Sequence, residues 1–145
     1  MGFSVSGSAA VIFVAAFIGF GMFYSAAANS FERVNDARED QRDRLLDQQN
    51  TDISLVSATW NSSGNDNLVV TVDNTGSETL SVDATDLLVD NEYRAGYGTS
   101  VDGDGSTDIW ASQERLTITV SSLSSQPDRV KVVTENGVAD TMVVS

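Results

Sequence analysis

The hydrophobic and polar positions of this chain follow three regimes in succession. From Val5 to Ala28 the sequence VSGSAAVIFVAAFIGFGMFYSAAA is apolar or small throughout, and no charged side chain precedes Glu32. A helix over that run reaches about 36 Å at roughly 1.5 Å per residue, enough to cross a hydrocarbon core of about 30 Å with some tilt. Residues 1–31 are therefore read as one transmembrane helix. Residues 32–51 are rich in charge and in helix formers, with no Pro or Gly before Gly64. Glu39 and Asp43 with Arg42 and Arg38 offer i,i+3 and i,i+4 ion pairs, worth about 0.2–0.5 kcal/mol each. Phe31, Val34, Ala37, Leu45 and Leu46 make a stripe too broken for a coiled coil. This second segment reads as a solvated helical stalk, with a dimer seam as its alternative.

From Asp52 the period falls to two. Ile53 and Leu55 open a strand running to Trp60. Leu68, Val70 and Val72 alternate with more polar neighbours, and Asn74-Thr75-Gly76-Ser77 reads as a turn before Leu80 and Val82. Leu87-Leu88-Val89 is a short apolar run, and a further strand is expected near Ile109-Trp110. Leu116, Ile118 and Val120 share one face, opposite Arg115, Thr117, Thr119 and Ser121. Asn136-Gly137 between two strands predicts a type I′ hairpin. That turn sets Val132 opposite Thr141, Val130 opposite Val143 and Val133 opposite Asp140. Seven or eight short strands within residues 52–145 predict an all-β, immunoglobulin-like β-sandwich. Trp60 and Trp110 are expected in its core rather than as ligand platforms.

Composition narrows the chemistry. The 145 residues carry 21 acidic and 8 basic side chains, a formal charge of −13, and Lys131 is the one lysine beside seven arginines. Such a surface repels phosphate backbones, which argues against nucleic-acid binding. Asp-rich, Lys-poor surfaces suit high salt, where screening contracts self-repulsion to a few ångströms. There is no cysteine and no histidine, so disulfides, thiol nucleophiles, the usual zinc sites and imidazole acid–base chemistry are excluded. No residue stands out as catalytic, cofactor-binding or metal-binding, and the chain reads as a non-enzyme. Asp102-Gly103-Asp104-Gly105-Ser106-Thr107-Asp108 places oxygens at alternate positions, as a calcium loop does. However, Thr107 stands where such a loop needs Gly and Gln113 where it needs Glu, so a solvated acidic loop is the better reading. Asn61-Ser62-Ser63 is one N-glycosylation sequon, meaningful only outside the cell.

The fate and direction of the apolar segment are decided by its flanks. Ala26-Ala27-Ala28 would serve as a signal-peptidase site, but no Lys or Arg precedes Val5 and the run exceeds a usual signal core. A retained anchor is expected. The small pairs Ala15/Gly19 and Gly21/Ser25 permit close helix–helix approach. Arg33, Arg38, Arg42 and Arg44 follow the span, which by the positive-inside rule leans toward a cytoplasmic C-terminal domain.

The start MGFSVSGSAAVIFVAAFIGFGMFY, the segments FERV and RLLDQQN, VTVDNTGSETLSV, TDLLVDNEY and the ending RVKVVTENGVADT together resemble the FlaF (ArlF) family. These are accessory proteins of the archaeal flagellum, the archaellum, here of haloarchaeal type. The resemblance spans nearly the whole chain and rests on order and extent. Ile109-Trp110-Ala111-Ser112-Gln113-Glu114 departs from it, because the family's pattern often has a Pro-Gly turn before the glutamate. The resemblance implies a single-pass protein of the cytoplasmic membrane with its β-sandwich outside, below the S-layer. It further implies binding to S-layer glycoprotein and to archaellum motor components, a possible homodimer, no cofactor and a stator-like role in swimming. An outward domain follows, against the lean of the arginines. The rival is an archaellin or type IV pilin-like filament subunit, which resembles its kin in needing a basic residue and Gly before the apolar core. Met1-Gly2-Phe3 has the Gly alone, so the anchor is expected to stay in the bilayer.

Overall fold

The computed structural model describes residues 3–62 and 66–145, with helix side chains from Gly7 onward. Met1-Gly2 and Ser63, on which the processing and sequon readings partly rest, lie outside the described residues. The chain divides into two compact units, residues 1–43 and 44–145. One continuous helix, α1 (Phe3–Asn50, 48 residues), supplies the first unit and the start of the second. From Gly7 to Asn50 its side chains are exposed, apart from the half-buried Ala27. It is long and apolar enough near the N-terminus to cross a membrane. The ion pairs expected from Glu39, Asp43, Arg38 and Arg42 do not form. The described ion pairs are Arg94–Glu92 and Arg115–Asp73, both in the β-domain. Helix pairs in free solvent gain too little to hold two long side chains together.

Ten strands follow among the described residues: β1 (Ile53–Asn61), β2 (Asn67–Asn74), β3 (Leu80–Ser81), β4 (Asp86–Val89), β5 (Glu92–Arg94), β6 (Gly98–Val101), β7 (Ile109–Trp110), β8 (Arg115–Val120), β9 (Arg129–Val133) and β10 (Ala139–Val143). They build one sheet in the order β1-β2-β8-β6, a second in the order β10-β9-β4-β5, and a small β3-β7 pair. Every pairing is antiparallel. This is the A-B-E-D against G-F-C-C′ arrangement of an immunoglobulin sandwich. The shared core takes Val70, Val72, Leu116 and Ile118 from one sheet and Leu87, Val130 and Val132 from the other. Each such buried aliphatic contributes about 1.5–3 kcal/mol. In place of an inter-sheet disulfide, valines of β2 and β9 fill the space. Trp110 is fully buried and donates from Nε1 to the Glu114 carbonyl at 3.0 Å, whereas Trp60 is only partly buried against the core.

The last hairpin differs from its prediction. Val132 pairs with Asp140, Val130 with Met142 and Val133 with Ala139, one residue out of the expected register. Of the two turn residues only Gly137 has positive φ, at 78°. Thr134 and Val138 close the loop through Thr134 N to Val138 O, 2.9 Å, with Gly137 N to Thr134 O inside it, 2.9 Å. That is a type I turn with a glycine bulge, which adds one residue to the loop and shifts the pairing by one. Since strand side chains alternate, the shift turns Val143 outward to 75% exposure and brings Met142 and Asp140 inward. The type I′ geometry occurs elsewhere, between β4 and β5, where Asp90 and Asn91 both have positive φ, 51° and 68°.

Candidate interaction surfaces

The link between helix and sandwich is two residues long, Thr51 and Asp52, and it is closely bonded. The orphan carbonyls at the end of α1 find acceptor roles inside the domain. Asn50 O receives Ser77 N at 2.9 Å and Glu78 N at 3.2 Å, while Asp52 O receives Thr75 N and Gly76 N, both at 2.9 Å. Thr51 Oγ1 donates to Asp47 O at 2.7 Å and accepts from Asn136 Nδ2 at 2.8 Å. Asn74, read from sequence as a turn residue, is fully buried and organises this region. Its Nδ2 donates to Glu78 O (2.8 Å) and Trp110 O (3.1 Å), and its Oδ1 accepts from Gly76 N (3.1 Å). Backbone presses on Gly76 from the helix end, since a Cβ there would lie 2.5 Å from Asp52 N.

The two free edges β1 and β10 meet at one corner of the sandwich. The Asp140 carboxylate, pointing inward from β10, accepts Leu55 N at 2.9 Å. Ser145 donates its N–H to Ala58 O and accepts Trp60 N, each at 2.9 Å. Register shifts between Leu55 and Ser57 in β1, which leaves Val56 exposed. These contacts occupy backbone groups that would otherwise template another chain.

At the opposite edge the acidic loop folds back on β6. Val101 N donates to Asp104 O at 2.9 Å, and Asp104 N to Val101 O at 2.8 Å. Its carboxylates do not converge. Asp104 Oδ1 takes Ser106 N and Oγ, and hydrogen bonds from Ser106 hold its pKa below the usual carboxylate value. Asp108 accepts from Ser81 Oγ and Asp83 N, and Asp102 from Arg115 N. Among the described residues no group of three His, Cys, Asp or Glu side chains is placed to hold a metal ion. The Ile109–Glu114 departure also has a geometry. Glu114 N donates to Ala111 O, and Gln113 takes φ 68°, so a type II-like turn places Gln where Gly is favoured.

The outward faces of the two sheets differ in chemistry. On the first, Ser57, Thr71, Thr117 and Ser100 form one cross-strand row, with Val69 and Thr119 paired beside it. Asp73 and Arg115 close one end, Arg115 donating from Nε at 2.6 Å and Nη2 at 2.8 Å. Those bonds hold the Asp73 carboxyl below its ordinary pKa. On the second, Thr141, Lys131, Leu88 and Tyr93 form a row across β10, β9, β4 and β5, beside the pair Val143–Arg129. Arg129 and Lys131 are exposed and outside the described ion pairs, Tyr93 is 63% exposed, and Val143 stands beside them. Among the described residues in 52–145, this face alone joins cations outside the described ion pairs to exposed apolar side chains. Sequence reading did not find it, because its members come from four strands whose order is set only by the fold.

These features define a β-sandwich protein of immunoglobulin strand order carried on a long apolar N-terminal helix. Residues 2–144 match the archaeal-type flagellin family, and the chain belongs to that family. Among solved structures it is similar to the archaellum periplasmic stator protein FlaG from Sulfolobus acidocaldarius. The identity is 20% and the TM-score 0.40, over 63% of this chain and 97% of that one. No curated protein matches it.

Proposed function

We propose that this chain is a non-catalytic, FlaF-like component of the archaellum motor that braces the motor against the S-layer of a halophilic cell. Residues 1–31 anchor it in the cytoplasmic membrane, residues 32–51 form the stalk, and residues 52–145 face outward and bind S-layer glycoprotein. The observation that carries this reading is the second sheet's outward face, where Arg129 and Lys131 lie unpaired beside Tyr93 and Val143. Cations next to apolar area suit a carboxylate-rich protein partner, and a charge-free helix that passes into dense charge after Phe31 suits a bilayer anchor.

Full-length protein in detergent is expected to retain purified S-layer glycoprotein. Arg129→Glu with Lys131→Glu should lose it, while Thr117→Lys on the opposite face keeps it. No retention by the unaltered chain counts against the reading. Deletion should abolish swimming while archaellin is still made. The family match favours a second reading, a filament subunit. Finding the chain in sheared filaments rather than in carbonate-washed membranes would establish that one instead.

A further inference from the structure

One contact of the joint between helix and sandwich carries a chemical liability. Asn136-Gly137 is the one Asn-Gly step in the chain. At such a step the backbone nitrogen of the second residue attacks the side-chain amide carbon of the first, because glycine has no Cβ to hinder the approach. The reaction is balanced and consumes only water. A bond forms from Gly137 N to Asn136 Cγ, the side-chain amide leaves as ammonia with the Gly137 amide proton, and a five-membered succinimide remains. Water then opens the ring at either carbonyl, to an aspartyl or an isoaspartyl residue.

The fold ties up both reacting groups. Gly137 N donates to Thr134 O at 2.9 Å, and Asn136 Nδ2 donates to Thr51 Oγ1 at 2.8 Å. Thr51 is buried, and its hydroxyl donates in turn to Asp47 O near the end of α1, at 2.7 Å. Ring closure has to swing the Asn136 side chain off Thr51 and turn the backbone between Asn136 and Gly137, which breaks both of the first two bonds. We propose that Asn136 is a self-modification site gated by the helix end. It keeps its amide while α1 stays bonded to the sandwich, and it converts to the aspartyl or isoaspartyl form once that contact opens. The change runs one way. A carboxylate at position 136 has no N–H for Thr51 Oγ1, and an isoaspartyl residue lengthens the backbone of the turn that sets the β9–β10 register. Each opening that runs to completion therefore leaves the helix end less firmly held. The inference is independent of what the outward faces bind.

Full-length protein in detergent, incubated at mildly alkaline pH, is sampled over time by peptide mapping for the amide, aspartyl and isoaspartyl forms of residue 136. The folded chain should convert about 5- to 100-fold more slowly than the same chain in urea, the factor expected from two hydrogen bonds that must break. Thr51→Val removes the acceptor at nearly constant size and should speed conversion about three- to tenfold. Gly76→Ala crowds the helix end without touching residues 134–138 and should speed it as well; it carries the test if Thr51→Val does not fold. Ile118→Val weakens the core away from the joint and should leave the rate unchanged. Equal rates in the folded chain and in urea overturn the gating. Unchanged rates in Thr51→Val and Gly76→Ala overturn the role of the helix end. An equal acceleration by Ile118→Val does the same, because global unfolding would then be the gate.

Discussion

Substitution of Gly76 by Ala probes the joint between helix and sandwich most directly. The new Cβ would overlap the Asn50 carbonyl oxygen, lie 2.5 Å from Asp52 N and 3.1 Å from Thr51 C. All three neighbours are backbone, so no side chain can rotate away. Relief requires the turn and the helix end to separate, which breaks some of the four hydrogen bonds onto Asn50 O and Asp52 O. Loss of two, at about 0.5–1.5 kcal/mol each, removes about 1–3 kcal/mol. Residual overlap adds about 1 kcal/mol or more. A total of about 2–4 kcal/mol is a large share of the roughly 5–15 kcal/mol of a whole domain and predicts a melting temperature at least about 10 °C lower. The measurements are thermal unfolding of residues 44–145 and hydrogen exchange at the Ser77 and Glu78 amides. Gly137→Ala is the control, because its φ of 78° brings torsional strain with nothing within 4 Å of the new Cβ. If Gly76→Ala melts with the parent and keeps both amides protected, the crowding argument is wrong.

Further outcomes follow from the same contacts. A fragment starting at Asp52 removes the Asn50 acceptor for Ser77 and Glu78, and should be about 1–3 kcal/mol less stable to urea than one starting at Arg44. Asp140→Ala leaves Leu55 N unpaired and opens the β1/β10 corner; a loss of about 1–3 kcal/mol with faster aggregation is expected, and unchanged solubility and stability would refute the edge-guard role. Gln113→Gly should stabilise by about 0.5–1 kcal/mol, because glycine takes the φ of 68° without strain. The lowered pKa of Asp73 makes its contribution present above the ordinary carboxylate range and lost as pH falls through the depressed folded value. Arg115→Gln should move the Asp73 carboxyl resonance titration upward, and an unmoved titration would show that Arg115 is not its cause.

Much of the fold is legible in alternation alone. Leu116, Ile118 and Val120 fall on the buried face of β8 as their spacing requires, because packing selects every second residue. Turn chemistry is less legible. Asn-Gly serves both a two-residue type I′ loop and a type I turn with a bulge, and the choice rests on which β10 side chains the core accepts. Here Met142 enters with Asp140, whose carboxylate meets a strand 85 residues away in sequence. Asn74 looked like turn punctuation, yet its amide is buried between segments that meet only in the folded chain. The Arg129, Lys131 and Tyr93 face was hidden for the same reason.

The two-residue link ending in β1 has a mechanical meaning. Tension arriving through α1 enters the sandwich at Ile53 and passes along β1, which is paired with β2 from Ile53–Asn74 to Asn61–Asn67. Ladder hydrogen bonds run across the strands, so a pull along β1 strains them together in shear and does not unzip them one at a time. The grip of Asn50 and Asp52 on residues 75–78 engages before that ladder does. The domain thus meets a tug on its helix with its most extensively paired edge.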